Sequence, residues 1–227
     1  MPSLDGKIAV VTGASSGLGE AVGRALAASG AAVVGVARRF AEAAPAWRAG
    51  DVSCARLDVT DEAAVVRLFE VVPADIVVNC AGQGSFAPIL EATVADLRAM
   101  LEVHVVGTFL CAREALRGMR ARGRGGHIVN VSSIAAHRTF PASAGYSAAK
   151  EGMRGLTRVL VEEARPDVRV TGLYPGAIDT PIWDGREGFD RGAMMRPEEL
   201  APLVVEIVSR PAISVEELVV MPPRGAL

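Results

Sequence analysis

Lys7-Ile8-Ala9-Val10-Val11-Thr12-Gly13-Ala14-Ser15-Ser16-Gly17-Leu18-Gly19 decides the fold of this chain. Lys7 to Val11 reads as a buried strand. From Gly17 to Ala28, the residues Leu18, Ala21, Val22, Ala25 and Leu26 fall on one face at helical spacing. Between the two, Gly13, Gly17 and Gly19 permit a tight turn and a close backbone approach. A strand that opens through glycines into a helix offers free N–H groups and a positive dipole end, which suits a phosphate. The spacing Gly-x-x-x-Gly-x-Gly differs from the Gly-x-Gly-x-x-Gly dinucleotide fingerprint. A glycine-rich turn that binds nothing is the competing reading.

The same alternation continues outward. Strands are expected at Ala32 to Val36, Ser53 to Leu57, Ile76 to Asn79, His127 to Val131, Val168 to Leu173 and Glu217 to Met221. Helices are expected around Ala41 to Trp47 and at Asp61 to Val72, Leu97 to Met119, Gly145 to Glu163 and Pro197 to Ser209. Strands this apolar need cover on both faces, which means a parallel sheet between helix layers. The expected fold is α/β: one Rossmann-type, doubly wound parallel sheet of about seven strands in a single domain over residues 1–227. Asp184 to Gly192 is the least regular stretch and is expected to be a mobile loop, within a substrate loop at about residues 181–196.

Composition narrows the function classes. The chain has 227 residues, half of them apolar and 22% charged, which suits one full core. A net charge of −2 gives no electrostatic reason to expect nucleic acid. Arg117, Arg120, Arg122 and Arg124 form a local basic cluster that reads as a helix C-terminus. Cys54, Cys80 and Cys111 are isolated and lack metal-ligand spacing, so buried free thiols in a reducing compartment are expected, and no metal. No charged-then-apolar leader and no bilayer-length apolar run is visible. The expectation is cytoplasmic, with no membrane partner.

The second strand runs into Ala37-Arg38-Arg39, where NAD-type sites place a carboxylate for the ribose 2′-hydroxyl. A guanidinium at Arg38 suits a 2′-phosphate instead. NADP(H) is therefore favoured, with NAD(H) possible; a solvated pair of arginines is the alternative. A basic residue in the glycine loop would strengthen the case, but Ser16 sits there. Further on, Tyr146 and Lys150 at i and i+4 share a helix face, and Ser133 lies thirteen residues upstream of Tyr146. An ammonium beside a tyrosine favours the phenolate, so the pair can exchange a proton with a carbonyl or carbinol oxygen. Ser133 could hold that oxygen. For the pair alone, an ordinary amphipathic helix explains the residues as well.

Taken together, the motifs resemble the single-domain branch of the short-chain dehydrogenase/reductase family. They are Thr12 to Gly19, Asp58-Val59, Asn79-Cys80-Ala81-Gly82, Asn130-Val131-Ser132-Ser133, Tyr146-Ser147-Ala148-Ala149-Lys150 and Pro175-Gly176-Ala177-Ile178-Asp179-Thr180, in that order. The resemblance implies that Gly13, Ser15, Ser16, Gly17, Leu18 and Gly19 hold the cofactor. It implies that Asp58 and Val59 contact its adenine, and that Asn79, Ala81 and Gly82 line its ribose side. Lys150 would also hold the nicotinamide ribose, and Pro175, Gly176, Ile178 and Thr180 would hold the nicotinamide. Ser133, Tyr146 and Lys150 would be the catalytic set. The implied activity is hydride transfer between the nicotinamide and a small carbonyl or alcohol substrate, such as an aldehyde, ketone, steroid or small alcohol.

One position departs from the family's pattern. Where its long fourth helix usually carries an asparagine, this chain reads Val103-His104-Val105-Val106-Gly107. His104 is either a proton relay or a packed helix residue. His127 is expected at the surface. His137, Gln83 and Trp183 are candidate substrate contacts, and Trp183, Phe189, Met194 and Met195 could form a lid. The resemblance also implies a homodimer or homotetramer. The competing class is a non-catalytic, dinucleotide-binding regulatory protein on the same fold. Sugar epimerisation or dehydration by the extended branch is disfavoured by the short chain and the glycine spacing.

Overall fold

Side chains alternate across each strand, and here the alternation sorts the apolar residues into two cores. The computed structural model describes residues 3–40 and 52–225; the helix expected around Ala41 to Trp47 lies outside them. The strands are β1 (Ile8–Thr12), β2 (Ala32–Ala37), β3 (Val52–Arg56), β4 (Ile76–Asn79), β5 (Gly126–Val131), β6 (Val168–Pro175) and β7 (Glu217–Val220). The helices are α1 (Gly17–Ala28), α2 (Glu62–Val71), α3 (Val94–Leu101), α4 (Gly107–Arg122), α5 (Ala144–Ala164) and α6 (Pro197–Val208). In β1 and β4, Ala9, Val11, Ile76 and Val78 point into one core, against α1 and α6. Val10 and Val77 point into the other, against α2, α4 and α5.

All seven strands pair in parallel, in the order β3-β2-β1-β4-β5-β6-β7. The Rossmann-type sheet expected from the sequence is therefore present. The chain leaves β1 toward β2 and later returns to β4 on β1's other side. The loops after β1 and β4 consequently part at the carboxyl ends of the strands, which is where an open α/β sheet places a ligand. No helix among the described residues is long and apolar enough to cross a membrane, and no cluster of three or more potential metal ligands occurs among them.

The long helix expected over Leu97 to Met119 is interrupted. It begins at α3 behind Thr93, whose hydroxyl accepts the Asp96 N–H at 3.0 Å. It ends at Gly123, in a left-handed conformation with φ of 61° that suits glycine. Between α3 and α4, residues Glu102–Val106 form one π-helical turn. Such a turn inserts a residue and re-aims the side chains around it. His104 sits in its middle.

His127 is not at the surface. It is 1% exposed, within β5, where its Nε2 lies 2.8 Å from the Thr171 hydroxyl. Thr171 Oγ1 donates to the Val215 carbonyl at 2.5 Å, so it accepts from His127 Nε2–H. The buried pair thus braces β5, β6 and the segment leading into β7. Burial, reinforced by the Arg169 charge, lowers the His127 pKa to about 3. His104, also buried, falls to about 3. An unfolded histidine takes up a proton near pH 6.5, and these two refuse it while folded. Their contribution is complete above about pH 6.5 and is lost as pH falls toward the folded value. Denaturant titrations between pH 6.5 and 5 should therefore show stability falling by on the order of 1 kcal/mol per pH unit for each histidine. His127→Gln keeps a donor for Thr171 and should remove about half of that slope; an unchanged slope would refute the assignment.

Candidate active site

The parted loops open a cleft of about 900 Å³, the size of a pocket for a cofactor and a small molecule together. Its tightest point is backbone against backbone. A Cβ on Gly13, whose φ is +67°, would lie 2.9 Å from the Ala81 and Cys80 main chain, and one on Gly19 would lie 2.5 Å from the Gly13 carbonyl oxygen. Thr12 Oγ1 accepts the N–H groups of Cys80 at 3.1 Å and Ala81 at 3.0 Å, tying the loop after β4 to the end of β1. Gly13, Ser15, Ser16, Gly17, Leu18 and Gly19 all line the cleft. Ser16 is the N-cap of α1 but does not cap it with its side chain. Instead, Arg39 donates to Ser16 Oγ at 2.6 Å and to Ser15 Oγ at 3.2 Å. The first N–H groups of α1 thus remain available to an anion. Arg38 is exposed along the same edge. Asp58 and Val59 line the cleft beyond it, and the Asp58 carboxylate is oriented by the Thr60 N–H at 3.0 Å and hydroxyl at 2.9 Å. The glycine cradle, the uncapped helix end and two arginines fit the phosphates of a dinucleotide.

At the other end stand Ser133, Tyr146 and Lys150, with Ala81, Gly82, Pro175, Gly176, Ile178 and Thr180 between. Ser133 ends β5's exit and turns into a short 3₁₀ segment, Ile134–Ala136. Tyr146 and Lys150 are one turn apart on α5. The Lys150 ammonium lies 5.6 Å from the centroid of the Tyr146 ring and donates to the Val131 carbonyl at 3.2 Å. Burial pulls the Lys150 pKa down to about 8. Burial also raises that of Tyr146, and its hydrogen bond with Ser133 and the charge of Arg186 work in the opposite direction. The sequence suggested a tyrosine lowered by its lysine. Desolvation dominates instead, and Tyr146 holds its proton.

His104 resolves differently from either alternative. Its ring stands edge-on to Tyr146, with centroids 5.7 Å apart. Nε2 lies 2.7 Å from the Gln83 carbonyl oxygen and 3.4 Å from the Gln83 N–H. The shorter contact sets the tautomer, with Nε2–H donating and Nδ1 left without a partner. With its pKa lowered by burial and by the charge of Lys150, the imidazole is neutral at any working pH. It acts as a donor that fixes the Gly82-Gln83 backbone along the cleft.

Of the candidate substrate contacts, Gln83 and Trp183 line the cleft and His137 does not. The His137 ring packs against Tyr174 at 4.6 Å instead. Asn79 also stands outside the cleft: it is buried, and its amide donates to Asn130 Oδ1 at 2.8 Å. Asn130 in turn donates to Thr157 at 3.0 Å, so Asn79 braces β4 against β5 and, through Asn130, α5. The loop at 181–196 is stapled rather than loose. Arg191 donates to Asp179 at 2.6 Å and Asp184 at 2.8 Å, and Trp183 Nε1 donates to the Ile178 carbonyl at 2.9 Å. Met194 is buried, and Met195 pairs with Ile178 through the backbone, so these two anchor the loop. Trp183 and Phe189, with ring centroids 4.6 Å apart, face the cleft. Three residues not singled out as site residues also belong to the site: Thr12, Phe86 and Arg186. Thr12 was visible only as the last residue before the glycines. Nothing local in the sequence marked the other two.

A sequence profile described as short chain dehydrogenase matches residues 7–188. The chain is 40% identical, over 89% of each chain, to cis-4-hydroxycyclohexanecarboxylate dehydrogenase of Sinomonas cyclohexanicum. It is 31% identical to the human dehydrogenase/reductase SDR family member 11, over 91% of this chain and 90% of that one. Among solved structures, an alcohol dehydrogenase from the archaeon Thermococcus sibiricus, complexed with 5-hydroxy-NADP, superposes with a TM-score of 0.82 at 29% identity, over 94% of this chain and 95% of that one. A short-chain type dehydrogenase/reductase from Mycobacterium marinum gives a TM-score of 0.86 at 26% identity, over 96% and 95%.

The contact between His104 and the loop after β4 is testable by crowding it. A Cβ on Gly82 would lie 2.7 Å from His104 Cε1. Gly82→Ala should cost about 1–3 kcal/mol in chemical denaturation. Adding His104→Ala should recover most of that cost, because the ring is what the methyl meets; additive losses would show that the two do not touch.

Proposed function

The chain belongs to the short-chain dehydrogenase family, and we propose that it is an NADP(H)-dependent oxidoreductase acting on a carbonyl/alcohol pair. One observation carries this reading: Ser133, Tyr146 and Lys150 converge on one end of a cleft whose other end is a glycine cradle flanked by Arg38 and Arg39. The nicotinamide, when bound, supplies or accepts the hydride. The chain's own residues handle the oxygen and its proton. In reduction, Ser133 orients the carbonyl oxygen and Tyr146 gives it a proton. The phenolate left behind is stabilised by the ammonium of Lys150 and the guanidinium of Arg186, charges that matter little to the neutral phenol. Lys150 also orients the ribose hydroxyls, and His104 keeps the Gly82-Gln83 backbone in place beside them.

Arg38 and Arg39 favour a 2′-phosphate over a free 2′-hydroxyl. Arg39 supports this most directly, because it reaches across to Ser15 and Ser16 and so brings to the glycine loop the positive charge that the loop's own sequence lacks. The Sinomonas relative is named for a ring alcohol, so alicyclic alcohols and ketones are the first substrates to try. The reading includes assembly as a homodimer or homotetramer, supported by exposed Val106, Phe109 and Val159 along the long helices.

Fluorescence titration should show NADPH binding at least about tenfold more tightly than NADH, as charge-assisted hydrogen bonds to one phosphate require. Arg38→Ala and Arg39→Ala should each erase most of that difference while leaving NADH affinity nearly unchanged. Tyr146→Phe should bind NADPH normally and lose about 100-fold or more in turnover. Equal affinity for the two nucleotides would remove the cofactor assignment, and full activity in Tyr146→Phe would remove the proton-transfer assignment.

A further inference from the structure

Arg186 occupies the substrate end of the cleft in an unusual setting for a loop arginine. Its guanidinium carbon lies 3.5 Å from the centroid of the Phe86 ring and 5.4 Å from that of Trp183. Phe86 in turn packs against Tyr146, with centroids 5.1 Å apart. Aromatic neighbours on a guanidinium cover its flat faces and leave its N–H edge to make in-plane hydrogen bonds. No carboxylate among the described residues takes that edge. The adjacent acid in sequence, Glu187, is exposed and forms no ion pair with it, and Asp184, two residues before, is held by Arg191 at 2.8 Å. The other acid lining the cleft, Asp58, lies at the far end and is hydrogen-bonded to Thr60. A half-buried guanidinium without an anion has lost water and gained no ion pair. Its charge is nevertheless felt at Tyr146, whose pKa it lowers against the effect of burial.

We propose that Arg186 is the anchor for a substrate carboxylate, so that the preferred substrates are hydroxy or oxo acids with an apolar spacer between the acid and the reacting carbon. The spacer follows from the geometry. Phe86 touches both the cation and Tyr146, so a substrate reaching from one to the other passes an aromatic side chain. Trp183, Ile182 and Phe189 supply the remaining apolar wall. A planar, bidentate carboxylate fits the fork that the stacked guanidinium presents. The substrate's neutral end would then meet Ser133 and Tyr146.

This inference rests on the oxidoreductase reading for its chemistry, but the anchor can be tested without turnover. Cyclohexanecarboxylate and cyclohexanecarboxamide share a shape and differ in charge, and neither has a carbonyl to reduce in the ring. Calorimetry on the NADPH-saturated protein should show the acid binding about 10- to 100-fold more tightly than the amide, the range of a charge-assisted pair. Arg186→Gln should bring the two within about twofold, Arg186→Lys should fall between, and neither should change NADPH affinity. In turnover, 4-oxocyclohexanecarboxylate should exceed its carboxamide in kcat/KM by a similar factor, and Arg186→Gln should erase that difference while lowering kcat for both, because the cation also stabilises the phenolate. Equal binding of acid and amide, or a preference that survives Arg186→Gln, overturns the anchor. Loss of NADPH binding in Arg186→Gln also overturns it and assigns the cation to the cofactor. Acid-selective binding without consumption of NADPH would leave the anchor standing and reject the oxidoreductase reading.

Discussion

The contact on which the rest of the cleft depends is the passage of Gly13 against the peptide of Cys80 and Ala81. Two loops that the strand order sends apart are brought back to van der Waals distance at their bases, with no side chain between them. Thr12 makes that approach stable. Its buried hydroxyl satisfies two backbone N–H groups that the end of β4 would otherwise leave unpaired. From this point the chain builds in both directions. Toward one end, α1 begins with its N–H groups uncapped and Arg39 clasped over Ser15 and Ser16. Toward the other, the backbone continues through Gly82 to Gln83, where His104 catches the carbonyl. The π-helical turn at Glu102–Val106 aims that imidazole under Gly82.

Burial then sets the protonation of the reacting group. Tyr146 and Lys150 are drawn toward their neutral forms by the same loss of water, which acts in opposite directions on an acid and a base. In the proposed reaction, a tyrosine that keeps its proton until a carbonyl oxygen is in place serves as the acid, and the charge created when that proton leaves is the one that Lys150 and Arg186 would meet. Preorganised cations of this kind favour the state in which the phenolate has formed over the state before it. His104, kept neutral by burial, contributes a hydrogen bond to the Gln83 carbonyl.

The parallel sheet and most of its helices were legible in the sequence because each rests on local pattern. Continuous apolar runs such as Ile76 to Val78 require two covered faces, and the glycine turn follows from what a Cβ would strike. The π-turn was not legible, since a helix with one inserted residue carries the same apolar spacing as a regular one on either side. Histidines were misjudged for a related reason. His127 follows two glycines and looks like a strand end, but the register of β5 with β6 places Thr171 within reach of its ring. His137 follows Ser133 closely in sequence, yet the 3₁₀ turn at Ile134–Ala136 swings it away to Tyr174. Partners distant in the chain decided each case. The same holds for Arg186, which only folding brings to Phe86, a hundred residues upstream in the sequence.

Net charge would have hidden the electrostatics altogether. A chain with a formal charge of −2 gives no hint of attraction for anions, yet the cleft carries Arg38 and Arg39 at one end and Lys150 and Arg186 at the other. Against these cations the cleft sets Asp58, hydrogen-bonded to Thr60, and Asp184, paired with Arg191. A cleft with cations in excess draws anions toward it, whatever the rest of the surface carries. In such a groove, a dinucleotide phosphate and a small carboxylate are received by separate cations, with the proton donor held between them. In the proposed function, selectivity for the cofactor and selectivity for the substrate are then set by different residues, but the substrate cation also acts on Tyr146, so a change at Arg186 alters substrate choice and proton transfer together.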